Sequence, residues 1–219
     1  MKKSSCKADV GFLLDGSGSI NREDPSNWRR VLNFVKDVAK GIKISDDGAH
    51  ASVTVFSASP NPSKGAEVLI KFGDHTDVSS FQSSVDVIEY PNSMTDTLAG
   101  LDVALNEMFT RKSGMRPEAP KTLIYVTDGA CECDTNIADS CFGDPDICSP
   151  TEMKKYAAKY EEKGIKMIGI GVGWNIAEDE ILLIVDEENY HPSLDFKELT
   201  SNNFLRNLLV CDGTVNINE

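Results

Sequence analysis

Short, continuously apolar runs alternate along this chain with longer stretches of helical period. Val10 to Leu14 is apolar apart from Gly11, which predicts a strand buried on both faces. Trp28, Val31, Leu32, Val35, Val38, Ala39 and Ile42 recur at helical spacing, and Asp24-Pro25 ahead of them predicts an N-cap with proline at the first helical position. Val53, Val55 and Phe56 predict a second strand. Val68 to Phe72 predict a third, paired with the second as a hairpin or near neighbour. Helices are predicted over Asp77 to Ile88 and from Thr95 onward, the latter with Leu98, Leu101, Leu105 and Met108 on one face. Leu123 to Val126 predict a fourth strand, which ends at Thr127-Asp128-Gly129. Ser149-Pro150-Thr151-Glu152 joins a capping box to proline at N1 and predicts the start of the next helix. Ile165 to Val172 predict a fifth strand, followed by helices over Glu178 to Val185 and Ser201 to Val210, with a strand near Tyr190 to Phe196 between them.

This alternation implies an α/β fold: a doubly wound, mostly parallel open sheet with helices on both faces. No internal repeat or linker interrupts it, so one domain is expected over residues 6–212. Residues 1–5 and 213–219 are expected as tails.

Composition narrows the function. The formal net charge is −13, which argues against nucleic acid and against insertion into or adsorption on an anionic membrane. No apolar run approaches the length that spans a bilayer. Six cysteines, an even number, suit an oxidising, extracellular compartment. Met1-Lys2-Lys3-Ser4-Ser5 is basic but lacks a following apolar stretch, so it is not a complete secretory leader; the start reads as an addition to an excised mature domain.

In an open α/β sheet, ligands bind beyond the carboxyl ends of the strands. Three segments reach that edge: Asp15-Gly16-Ser17-Gly18-Ser19, the loop Ser93-Met94-Thr95-Asp96-Thr97, and Asp128. They gather carboxylate and hydroxyl oxygens without histidines or thiols. Hard oxygen donors suit Mg²⁺, Ca²⁺ or Mn²⁺ rather than zinc or copper. Glycines 16 and 18 are expected to let the backbone turn tightly, so that Asp15, Ser17 and Ser19 face one point. Two carboxylates and neutral hydroxyls leave such a cation incompletely neutralised, and an open position would attract an acidic group from a partner.

Those three segments, in that order and at that spacing, resemble the metal-ion-dependent adhesion site of von Willebrand factor type A domains, including the domains inserted in integrins. The resemblance covers roughly residues 8–212. It implies a Rossmann-like fold and a cation held by Asp15, Ser17 and Ser19, with Thr95 ligating in the ligand-bound form and Asp128 acting through water. Thr97 is expected to support the loop rather than touch metal. The family's partner supplies a glutamate or aspartate carboxylate, and its last helix, here Ser201 to Val210, often moves when the site closes.

Cys6 and Cys211 bracket the domain and are candidates for a closing disulfide, as in several extracellular A domains. Cys131, Cys133, Cys141 and Cys148 lie in an acidic insertion over 131–148 where the family's link is short; their three possible pairings stay open. Glu132, Asp134 and Asp144 in that insertion are expected to overhang the metal face and shape partner specificity. Gly169-x-Gly171-x-Gly173 is out of phase with a dinucleotide fingerprint and is expected to serve packing or a turn.

The expected function is therefore an extracellular adhesion or matrix module, not an enzyme, that binds a matrix or cell-surface protein through a divalent cation. An alternative is a structural matrix domain in which the cation mainly stabilises. A remote alternative is a phosphohydrolase with Asp15 as nucleophile. That chemistry usually wants a second acid two residues later, where this chain has Ser17.

Overall fold

A computed structural model describes residues 7–57, 65–129, 149–173 and 176–201. Six strands form one sheet: β1 (Asp9–Asp15), β2 (His50–Phe56), β3 (Ala66–Ile70), β4 (Lys121–Thr127), β5 (Ile165–Val172) and β6 (Tyr190–Ser193). Their order is β3-β2-β1-β4-β5-β6. All neighbours run parallel except β3, which turns back antiparallel on β2. The strand order reverses between β1 and β4, so the crevice for a ligand lies beyond the carboxyl ends of those two strands.

The helices are α1 (Asn27–Ile42), α2 (Val78–Asp86), α3 (Thr97–Val103), α4 (Pro150–Glu162) and α5 (Glu178–Ile181). Every residue of β1 is buried, because both faces of the sheet are covered. Phe12 and Leu14 point to the core shared with α1 and α2, while Leu13 points to the core shared with α3 and α4. Trp28, Val31, Leu32, Val35, Val38, Ala39 and Ile42 all lie on the buried stripe of α1.

Several boundaries differ from the sequence expectation for local reasons. Helix α1 begins at Asn27, not at Pro25. The Asp24 carboxylate accepts from the Ser26 amide at 2.8 Å and its carbonyl accepts from the Asn27 amide, closing a turn ahead of the helix. Helix α3 begins at Thr97, because the Asp96 side chain caps it by accepting from the Ala99 amide at 2.9 Å. Thr95 is thereby left in the loop. Helix α3 runs on as a π-helical turn (Ala104–Met108), whose widened bond joins the Phe109 amide to the Ala104 carbonyl. Helix α5 is a single turn, since the following bonds at Leu183 and Ile184 tighten to three-residue spacing. Strand β6 stops at Ser193, where the Leu194 amide turns to the Glu198 carboxylate. The Ser149 hydroxyl caps α4 as its sequence predicts.

All six cysteines, the insertion with Glu132, Asp134 and Asp144, both tails and nearly all of the expected last helix lie outside the described residues.

Candidate metal and partner-binding site

Parallel register builds the site. Leu14 pairs with Val126, so Asp15 and Thr127 emerge side by side at the ends of β1 and β4. Asp15 is buried, and its two carboxylate oxygens are separately engaged. Oδ1 accepts from the Ser17 amide at 2.8 Å, and Oδ2 accepts from the Thr127 hydroxyl at 2.6 Å. The Ser17 and Ser19 hydroxyls share a hydrogen bond of 2.8 Å, and the Ser19 hydroxyl donates to Asp128 Oδ1 at 2.8 Å. Four of the five predicted ligands thus form one connected cluster.

The fifth, Thr95, is buried in the neighbouring loop. That loop is held to the first by backbone bonds: the Gly18 amide donates to the Ser93 carbonyl at 2.7 Å, and the Asn92 amide to the Gly16 carbonyl at 3.0 Å. Thr97 is also buried. Burial and the Asp15 charge lift the Tyr125 phenol above its ordinary pKa, and hydrogen bonding to Thr97 and Thr127 opposes that rise. Thr97 therefore faces the core beside Tyr125.

Gly16 and Gly18 lie in the loop that brings Asp15, Ser17 and Ser19 together, and neither occupies the left-handed backbone region. At Gly16 the constraint is space, since a Cβ there would meet the Pro91 ring at 2.7 and 2.8 Å. In Gly169-x-Gly171-x-Gly173 the first two glycines serve packing, since a Cβ on Gly169 would strike Ile181 and one on Gly171 would strike Ile176, while Gly173 takes the left-handed backbone of a bend just after β5.

Two supports were not anticipated. Thr127 anchors Asp15, and its place next to Asp128 at the end of β4 is the clue the sequence offers. Tyr90 donates its hydroxyl to the Ser17 carbonyl and accepts from the Asn21 amide. Nothing local to Tyr90 in the sequence marks it for this, because the contact spans the chain.

The cluster is electrostatically strained toward cations. Burial raises the Asp15 pKa against the pull of its hydrogen bonds from Thr127 and Ser17. Burial and the Asp15 charge push Asp128 up to about 7, partly offset by Ser19. Burial thus makes both carboxylates costlier to ionise, and the Asp15 charge adds to that cost at Asp128, which a divalent cation would reverse. Two carboxylates and three hydroxyls form a hard oxygen set, and no cluster of three or more His, Cys, Asp or Glu side chains competes for metal among the described residues. The residues present fit an oxygen-ligated divalent cation.

Fold and site together define a class: an open-sheet α/β domain whose buried acids and hydroxyls meet at the switch point between β1 and β4. The family model for the von Willebrand factor type A domain matches residues 9–206, and the chain belongs to that family. It is 30% identical to human matrilin-1 over 198 residues, covering 89% of this chain and 34% of matrilin-1. It is 27% identical to mouse vitrin, covering 86% of this chain and 24% of vitrin. The chain thus spans about a third or less of these relatives, which are proteins of extracellular matrix. Among solved structures, proximal thread matrix protein 1 of the mussel byssus superposes with a TM-score of 0.74 at 21% identity, over 90% of this chain and 46% of that one. That mussel protein has also been solved with zinc in its MIDAS motif. Among the described residues no helix is long and apolar enough to cross a membrane.

Proposed function

We propose that this domain is an extracellular adhesion or matrix-binding module that captures a protein partner through one divalent cation. Asp15, Ser17 and Ser19 would hold the ion, Thr95 would join them when the partner is bound, and Asp128 would act through water. A cation there would supply an electrophilic position for a carboxylate from the partner. The observation that carries the reading is the connected Asp15–Ser17–Ser19–Asp128 cluster at the switch point, with both acids resisting ionisation. The chain's own residues do the positioning. Thr127 and the Ser17 amide orient Asp15, Tyr90 steadies the serine loop, and Ser19 orients Asp128.

Mg²⁺ is the ion we expect, with Ca²⁺ and Mn²⁺ as alternatives. The cysteine content and the matrix relatives support secretion and a matrix or cell-surface partner. The same buried acids favour a second reading, in which the cation mainly stabilises a structural matrix domain. Calorimetric titration of chelator-treated protein with Mg²⁺, Ca²⁺, Mn²⁺ and Zn²⁺, beside Asp15→Ala, tests both. One ion bound by the intact chain and lost in the variant supports the site, and absence of binding by the folded chain overturns it. Cation-dependent partner binding lost in the variant favours adhesion; intact assembly with a lower Tm favours the structural role.

A further inference from the structure

Beside the cluster runs an open cleft of about 1080 Å³, between the edge strand β3 and the segment that follows α2. It begins at the candidate cation site itself. Tyr90, Asn92 and Ser93 line it, and each hydrogen-bonds the Asp15–Ser19 loop, at Ser17, Gly16 and Gly18 in turn. Among the described residues four large apolar side chains are exposed, and two of them, Leu69 at 43% and Val87 at 76%, border this cleft. Its ionisable lining is Glu67, Asp74 and Glu89 against His75, so its charge is negative. Ser57, at the end of β2, also lines it. Its side chain is only 7% exposed, and its hydroxyl has no hydrogen-bond partner among the described residues. A buried hydroxyl left unpaired is costly, so this end of the cleft carries an unmet demand for a polar partner.

We propose that this cleft is the specificity subsite for the partner. It takes an extended peptide segment in which apolar and basic side chains flank the acidic residue that reaches the cation. The proposal rests on the cation reading above and deepens it. A contact between a cation and a carboxylate is open to any acidic side chain and carries little sequence information. The cleft supplies the discrimination. Leu69 and Val87 offer apolar surface, Glu67 and Glu89 attract lysine or arginine, and a peptide backbone group would satisfy Ser57. The same carboxylates repel a uniformly acidic segment, so only acidic residues with basic neighbours gain from both ends. The cleft is also open and at the upper end of the range of small-molecule cavities, which suits a chain segment better than an enclosed small ligand.

The test is selection from a displayed library of peptides about twelve residues long with one fixed glutamate, in Mg²⁺, on the full chain. Glu67→Lys/Glu89→Lys and Asp15→Ala are carried in parallel. The expected result is enrichment of basic and apolar residues on one side of the glutamate. Synthetic versions should bind the charge-reversed variant at least about 10-fold more weakly, while its Mg²⁺ affinity by calorimetry is unchanged. Val87→Ser should weaken the same peptides in the same direction without altering the fold's Tm by more than a few degrees, since that side chain is exposed. Mg²⁺ binding with no flanking preference, or peptides indifferent to charge reversal, overturns the cleft and spares the cation reading. Peptides bound equally by Asp15→Ala overturn the cation reading and spare the cleft. A concentration-dependent dimer dissolved by Glu67→Lys/Glu89→Lys assigns the cleft to a second copy and overturns the proposal. So does peptide binding that emerges only when residues 58–64 are replaced by glycine and serine, which would make that segment of the chain the occupant.

Discussion

At the scale of single residues, the site stores a conflict between stability and binding. Asp128 has its pKa raised from 3.8 to about 7 by burial and by Asp15. A carboxyl whose folded-state pKa exceeds its unfolded value binds its proton more tightly when folded. Its cost is therefore fully present above pH 7 and is relieved as pH falls toward 3.8. In chelator, the Tm should rise as pH is lowered from about 8 to about 6. Asp128→Asn should raise stability at pH 8 by about 1–3 kcal/mol, after discounting for the part water reaches. The variant should also flatten the pH profile and weaken Mg²⁺. Thermal scans across pH, with and without Mg²⁺, check this; a flat wild-type profile in chelator would count against the strained cluster. Gly16 makes a steric prediction. Gly16→Ala would press a methyl group into Pro91, so it should cost about 1–3 kcal/mol and weaken Mg²⁺ about 10-fold by displacing the serine loop. Gly18→Ala, whose nearest neighbour would be Asn92 Oδ1 at 3.3 Å, should be milder.

At the scale of elements, legibility followed the range of the forces involved. The strands from Val10, Val53, Leu123 and Ile165 and the long helix α1 were readable because their apolar patterns are local and strongly periodic. The start of α3 was not. Thr95 looked helical, yet Asp96 takes the cap and leaves Thr95 in the loop beside the cluster. Asp96→Ala should therefore lower stability by about 1 kcal/mol in denaturant titration, and it should loosen Thr95 as well. An unchanged midpoint would mean the cap contributes nothing. The π-helical turn at Ala104–Met108 was also invisible in the periodicity. Met108 and Phe109 pack where a Cβ on Gly11 would sit, with Met108 Sδ 2.5 Å from that position, so the wide turn meets the sheet only because β1 offers a glycine.

At the scale of the whole molecule, the two ends of the sheet divide the work. The carboxyl ends gather the oxygens, and the opposite ends carry a buried tie. Asp9, fully buried, accepts from the Arg116 amide at 2.6 Å and from its Nε at 2.8 Å, while Arg116 Nη2 donates to the Ala8 and Gly48 carbonyls. One guanidinium thus pins the entries to β1, β2 and β4. Arg116→Ala leaves Asp9 buried without its ion partner and should cost about 3–5 kcal/mol. Mg²⁺ affinity should stay unchanged, because the site lies at the far end of the strands. Denaturant unfolding paired with calorimetry reads both, and a loss of Mg²⁺ binding in the folded variant would contradict this separation.

The chain's local patterns determined the α/β class, the parallel sheet and the position of Asp15, Ser17, Ser19 and Asp128 at strand ends, because periodicity and strand termini are properties of contiguous residues. Tertiary structure alone decided what holds them. Thr127 reaches Asp15 across 112 positions and Tyr90 reaches Ser17 across 73, through the sheet register and the crossover of the chain. The same long-range closure set Gly16 against Pro91, paired Arg116 with Asp9, and opened the cleft between β3 and the segment after α2. Contacts of that range depend on how elements pack, and no window of sequence contains both partners.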